Sequence, residues 1–141
     1  MGAWYINRGQ YKLLPAGGFI WTPSPYTRFD ILFPNPKFTQ FLAQTGNTEW
    51  WWYLSGEYGG GVWTVKRQGD APPPVANMID LVDYNDIRVA LGLQYKRLSG
   101  VGLHGFFEGG YSFNRELVYA SGLPGNFNPT PAFYVHAGVA F

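Results

Sequence analysis

Ile87-Arg88-Val89-Ala90-Leu91-Gly92-Leu93-Gln94-Tyr95 is the stretch on which the fold turns. Successive side chains of a strand point to opposite faces. Ile87, Val89, Leu91, Leu93 and Tyr95 therefore share one face, and Arg88, Ala90, Gly92 and Gln94 share the other. The pattern recurs twice downstream. Leu103, Gly105, Phe107, Gly109, Tyr111 and Phe113 alternate with His104, Phe106, Glu108, Gly110 and Ser112. Phe133, Val135, Ala137, Val139 and Phe141 alternate with Tyr134, His136, Gly138 and Ala140. No first-face position in these three segments is charged. All the charge lies on the second face, among Gly, Ala and Ser.

Upstream, Phe29, Ile31 and Phe33 alternate with Arg28, Asp30 and Leu32. Trp50, Trp52, Leu54 and Tyr58 alternate with Trp51, Tyr53, Ser55 and Glu57. The period of two, broken by turn residues, predicts eight strands at about 2–7, 18–23, 27–33, 37–43, 48–66, 84–97, 102–115 and 131–141. No twelve-residue window keeps a helical apolar stripe free of Gly or Pro. Gly59-Gly60-Gly61 predicts a bulge or bend in the fifth strand. The connections alternate in length, with long ones at 67–83 and 115–130 and short ones at 44–47 and 98–101. Pro72-Pro73-Pro74 sits in the first long one, where no strand is expected.

The whole chain has 141 residues, sized for a single β-domain over 1–141. Ten Lys and Arg stand against nine Asp and Glu, a net charge of +1, which excludes an electrostatic nucleic-acid binder. Charged residues are only 13% of the chain, about half the soluble average, and aromatics reach 19%. The absence of Cys removes disulfides, thiol catalysis and Cys-ligated zinc. No run approaches the ~18 apolar residues of a membrane helix. Met1-Gly2-Ala3-Trp4-Tyr5 lacks the basic start and apolar middle of a signal peptide. The expectation is a chain that begins inside a longer gene product.

An apolar face opposite a mixed one fits a soluble barrel or sandwich, with the apolar face inward. It also fits a transmembrane barrel, with that face toward lipid. Small residues on the mixed face suit a tight lumen. Trp4, Trp21, Trp63, Tyr84, Tyr95 and Tyr119 fall near strand ends, where an interfacial girdle would lie. The ending Phe133, Val135, Ala137, Val139, Phe141 resembles the C-terminal strand of bacterial outer-membrane barrels, which implies recognition by the barrel-assembly machinery.

A wider resemblance rests on Leu14-Pro15-Ala16-Gly17-Gly18, Arg28-Phe29-Asp30, Phe33-Pro34-Asn35-Pro36-Lys37 and Trp51-Trp52-Tyr53 with Gly56-Glu57-Tyr58-Gly59-Gly60-Gly61. Asp83-Tyr84-Asn85-Asp86-Ile87-Arg88 and Arg115-Glu116-Leu117-Val118-Tyr119 extend it. These segments resemble a family of uncharacterised bacterial proteins predicted to be outer-membrane β-barrels, across most of the chain. The resemblance implies a bacterial outer-membrane location, contact with outer-membrane lipid and no assigned activity. The family's members are longer, with a signal peptide and further N-terminal strands, so this chain would correspond to a C-terminal portion.

The expected fold is an all-β, antiparallel up-and-down barrel of about eight strands, of outer-membrane type, whole or part of a larger barrel. Its expected role is structural or a narrow pore. The alternatives are a soluble lipocalin-like barrel holding an apolar ligand, and an outer-membrane lipid-modifying enzyme. The expected lumen carries Glu57, Arg88, Glu108, His104 and His136, with Arg28 and Asp30 nearby, as a plug of paired charges. Arg88 is expected opposite Glu57 or Glu108. A nucleophilic site would need Ser112 near a histidine, and on one strand His104 is too far from it. No catalytic residue, cofactor or metal is expected. Asp80, Asp83 and Asp86 lack the Gly and bidentate Glu of an EF-hand and read as a solvated loop. Two histidines do not make a zinc site. Gly59-Gly60-Gly61 lacks the Lys-Ser/Thr and helix of a phosphate loop. Trp50-Trp51-Trp52 could stack on sugars, but two of its three rings facing lipid is the plainer reading.

Overall fold

The computed structural model describes residues 2–5, 13–67, 78–99, 102–122 and 125–140, with side chains from residue 17 on. Eight strands follow one another: β1 (Gly2–Tyr5), β2 (Leu13–Ser24), β3 (Thr27–Phe33), β4 (Lys37–Thr45), β5 (Thr48–Lys66), β6 (Ile79–Arg97), β7 (His104–Tyr119) and β8 (Ala132–Ala140). No helix occurs among the described residues. Every strand pairs antiparallel with its sequence neighbours, in spatial order β1 to β8. Seven of them, β2 to β8, form a continuous meander, and β1 pairs only with Leu13–Ala16 of β2.

The sheet is not closed into a barrel, which corrects the expected closure. Closure requires the first and last strands to exchange backbone hydrogen bonds. Among the described residues β1 pairs only with β2, and β8 only with β7. The two edges are also unequal, four residues of β1 against nine of β8.

Strand boundaries depart from expectation where acids and prolines misled. β6 begins at Ile79, because Asp80, Asp83 and Asp86 pair in register with Val65, Val62 and Gly59 of β5. The expected loop 67–83 is shorter by that stretch, and Pro72-Pro73-Pro74 lies outside the described residues. β7 runs on to Tyr119. β2 starts at Leu13, with Pro15 inside it. The expected bulge at Gly59-Gly60-Gly61 is absent, since β5 and β6 stay in register from Thr48↔Arg97 to Lys66↔Ile79. Register shifts fall at Trp21/Ser24, Phe41/Ala43 and Asn85/Ile87. The last coincides with Asn114, whose φ of 48° adds the left-handed residue that such a bulge uses. Gly46 (φ 57°) supplies the same freedom in the tight β4–β5 turn. Pro34 and Pro36 accept hydrogen bonds from Tyr58 and Gly56, so the β3–β4 link covers the β5 edge beyond the end of β4.

Register assigns the two faces. The row Phe38–Leu54–Leu91–Gly109–Val135 crosses β4 to β8 on one face; Lys37–Ser55–Ala90–Gly110–Tyr134 crosses on the other. On the first face Trp21, Phe29, Phe38 and Trp52 touch ring to ring across four strands, with centroids 5.1, 4.8 and 5.2 Å apart. This face is nevertheless open: Leu54, Leu91, Phe107, Phe133, Val135 and Val139 are all exposed, Leu91 at 60% and Phe133 at 86%. The second face is the enclosed one. Tyr53, Thr39, Ala90, Asp80, Asp86 and Ser112 on it are all buried. Polarity is thus inverted relative to a soluble core.

Candidate functional site

The enclosed face carries its polar side chains in tiers, because residues four apart on a strand lie roughly 13 Å apart. The first tier is Glu57–Arg88–Ser112, one from each of β5, β6 and β7 in direct register. Two residues further along β6 is Asp86, 1% exposed. Its Oδ2 accepts from Arg88 Nε at 2.7 Å, Ser112 Oγ at 2.8 Å and Tyr84 OH at 3.2 Å. Arg88 reaches Glu57 with its other arm at 3.8 Å. Arg115 extends the chain by donating to Tyr84 OH at 2.8 Å and to the Thr130 carbonyl at 2.7 Å. Three donors converge on the one oxygen, as a buried carboxylate requires, while Oδ1 is buried with no hydrogen-bond partner among the described residues.

The second tier is Tyr53–Gly92–Glu108–His136 across β5 to β8. Tyr53 lies flat over Gly92, where a Cβ would fall 2.3 Å from the ring. That lets its hydroxyl cross β6 and donate to Glu108 Oε2 at 2.6 Å. The other carboxylate oxygen faces His136 Nδ1 at 3.3 Å. Lys37 sits 3.8 Å above the Tyr53 ring and donates to Gln94 at 3.0 Å. Tyr134 covers Gly110 and Phe106 covers Gly138 in the same manner. Bulky rings from one strand thus occupy the space above glycines of the next.

The third tier is Glu49–Lys96–His104. Here His104 contacts the Gly102 carbonyl at 3.2 Å.

The five expected lumen residues therefore share a face but divide among three tiers. Glu57 pairs with Arg88, Glu108 with His136, and His104 stands apart, four residues from Glu108 on β7. Glu108 lies opposite Gly92, four residues from Arg88, so of the two partners considered for Arg88 it is Glu57 that is in register. Arg28 and Asp30 pair with each other at 2.7 Å. Ser112 lies opposite Ala132, four residues from His136, which is too far for a nucleophile–base hydrogen bond. The expected solvated loop at Asp80, Asp83 and Asp86 is corrected: all three are in β6 and buried, and Asp83 points to the face opposite the other two. Among the described residues no three His, Asp or Glu side chains converge as metal ligands.

The expected assembly signal divides similarly. Phe133, Val135 and Val139 are exposed on the apolar face of β8 with Ala137, and Phe141 lies outside the described residues.

Tyr53, Asp86, Tyr84, Ser112 and Lys37 escaped the reading of charge pattern alone. Parity marks Asp86, two residues from Arg88, as its face partner. Tyr53 gave no such sign, since its role depends on a glycine in the neighbouring strand.

Near the short turns the same face opens into a cleft of about 430 Å3, lined by Trp51, Glu49, Lys96, Arg28, Asp30 and Lys37 among others. Comparison of the chain with family models, curated proteins and solved structures finds no match in any of the three.

Proposed function

We propose that the chain forms the wall of an outer-membrane β-barrel whose role is structural or that of a narrow pore. The inverted polarity carries this reading: among the described residues the enclosed face buries Thr39, Asp80, Asp86 and Ser112, while long rows of aromatic and aliphatic side chains face outward. Water would penalise that outer surface, and exposed apolar patches of this extent mark contact with another apolar phase. Lipid removes the penalty. The apolar stretch Ile87–Tyr95 is nine residues long, within the about 9–11 needed to span a bilayer. Beyond it β5, β6 and β7 run on toward the long connections, as strands protruding from a membrane would.

An open sheet edge cannot rest in hydrocarbon, where each unsatisfied backbone group is costly. In an eight-stranded meander the first and last strands run antiparallel, so the edges of β1 and β8 have the polarity needed to pair. The tiers would then fill the lumen, and Tyr53, Tyr134 and Phe106 would narrow it. The resemblance to predicted outer-membrane barrels and the β8 pattern Phe133, Val135, Ala137, Val139 point to the bacterial outer membrane and its assembly machinery. A soluble barrel around an apolar ligand would instead enclose the face that lies open here.

The test is depth-resolved quenching in vesicles of brominated phosphatidylcholine. Variants that keep only Trp52, or only Trp51, separate the faces. Strong quenching of Trp52 with weak quenching of Trp51 supports the reading. Equal, weak quenching of both refutes it.

A further inference from the structure

The cleft near the short turns contains the one ring of Trp50-Trp51-Trp52 that does not face outward. Trp50 and Trp52 share the apolar face with Leu54, whereas Trp51 lies on the enclosed face opposite Gln94. Its indole is held at two points. Nε1 donates to Glu49 Oε2 at 3.2 Å, and Phe41 stands edge-on to the ring, with centroids 5.2 Å apart and planes at 82°. A ring fixed this way is preorganised as a stacking platform.

The charges around it are offset locally. Arg28 is bound to Asp30 at 2.7 Å. Lys96 faces Glu49 in register across β5 and β6. Lys37 spends a donor on Gln94. No single sign dominates, so the cleft has little to attract an ion. It does present ammonium, guanidinium and amide donors beside carboxylate acceptors, around one aromatic face. The volume of about 430 Å3 lies within the ~300–1,000 Å3 of small-molecule sites.

We propose that this cleft binds a neutral polyhydroxylated solute, a mono- or disaccharide stacked on Trp51 with its hydroxyls shared among Glu49, Gln94 and Lys96. Hydroxyls use donors and acceptors equally, and a sugar's C–H face suits an indole. The placement of the cleft at a lumen mouth rests on the barrel reading. Binding does not, and is measured separately from insertion.

The experiment is calorimetric titration of the full chain in detergent with glucose and maltose. Gluconate and glucosamine serve as anionic and cationic analogues. The expected result is saturable binding of the neutral sugars, no tighter binding of either charged analogue, and roughly tenfold weaker binding in Trp51→Ala. Trp50→Ala, on the opposite face, retains wild-type affinity. Glu49→Gln is the second variant, in case Trp51→Ala does not fold, and it too weakens binding. No saturable binding of glucose or maltose overturns the proposal, as does equal affinity in a folded Trp51→Ala or Glu49→Gln. Preference for gluconate or glucosamine overturns it in favour of an ion site. Sugar binding by a chain that stays monodisperse without detergent upholds the cleft and refutes the barrel.

Discussion

Leu91→Arg separates the lipid-facing account from a soluble one through a single side chain. Leu91 lies at the centre of the apolar stretch Ile87–Tyr95 of β6, flanked on its face by Val89 and Leu93 and opposite Leu54, and it is 60% exposed. If that face meets water, an arginine there costs nothing beyond the ±0.5 kcal/mol typical of surface changes. If it meets the bilayer midplane, the charge costs about 2–4 kcal/mol. At ~1.4 kcal/mol per decade this shifts the folding equilibrium roughly 30- to 1,000-fold. The control must carry the same arginine on the enclosed face. Ala90 is unsuitable, being only 3% exposed, so a long side chain there would have to displace its neighbours. His136 is suitable: its side chain is 62% exposed beside Glu108, a carboxylate that an arginine there can pair with. Urea titration of the chain folded into phosphatidylcholine vesicles, followed by tryptophan fluorescence, gives both values. The expected result is a loss of about 2–4 kcal/mol for Leu91→Arg and less than 1 for His136→Arg. Equal stability of the two variants would refute the face assignment.

The two carboxylates on Arg88 should differ sharply in weight. Asp86→Ala leaves Arg88 and Ser112 without their buried acceptor and should cost about 3 kcal/mol, whereas Glu57→Ala, at a side chain 45% exposed, should cost about 0.2–1 by the same titration. Gly92→Ala should lose about 1–3 kcal/mol and the Tyr53–Glu108 bond, since its Cβ would meet Tyr53; Gly109→Ala, with open space at its Cβ, should be neutral within ±0.5. A double-mutant cycle of Tyr53→Phe and Glu108→Gln should return a coupling of about 1 kcal/mol or more, and additive losses would contradict the 2.6 Å bond.

Alternation was enough to read most strands and both faces, because a period of two survives without knowledge of partners. β5 has the bounds its alternation predicts, 48–66, and one of the two partners expected for Arg88, Glu57, lies opposite it. What failed depended on neighbours. Asp80, Asp83 and Asp86 look like loop acids until β5 is seen holding them in register. Gly59-Gly60-Gly61 looks like a break, yet Asp86 and Arg88 lie over Gly59 and Trp63 lies over Gly61, so the missing side chains are replaced from elsewhere. The register shift beside Asn114 leaves no compositional mark. The tiers were invisible for the same reason: Glu108 belongs with Tyr53 and His136, not with Arg88, only once three registers are known. Closure is the most non-local property of all, set by the first and last strands together, and alternation within each strand carries no information about it.

The central claim is a barrel wall that lives in lipid. Its most direct test is to express the chain, fractionate it with and without detergent, and run the extracted protein on a gel unboiled and boiled. The account predicts protein only in the detergent-extracted membrane fraction, with an unboiled band that shifts on heating as a closed barrel opens. A monodisperse chain in the detergent-free soluble fraction, with identical mobility before and after boiling, would contradict it.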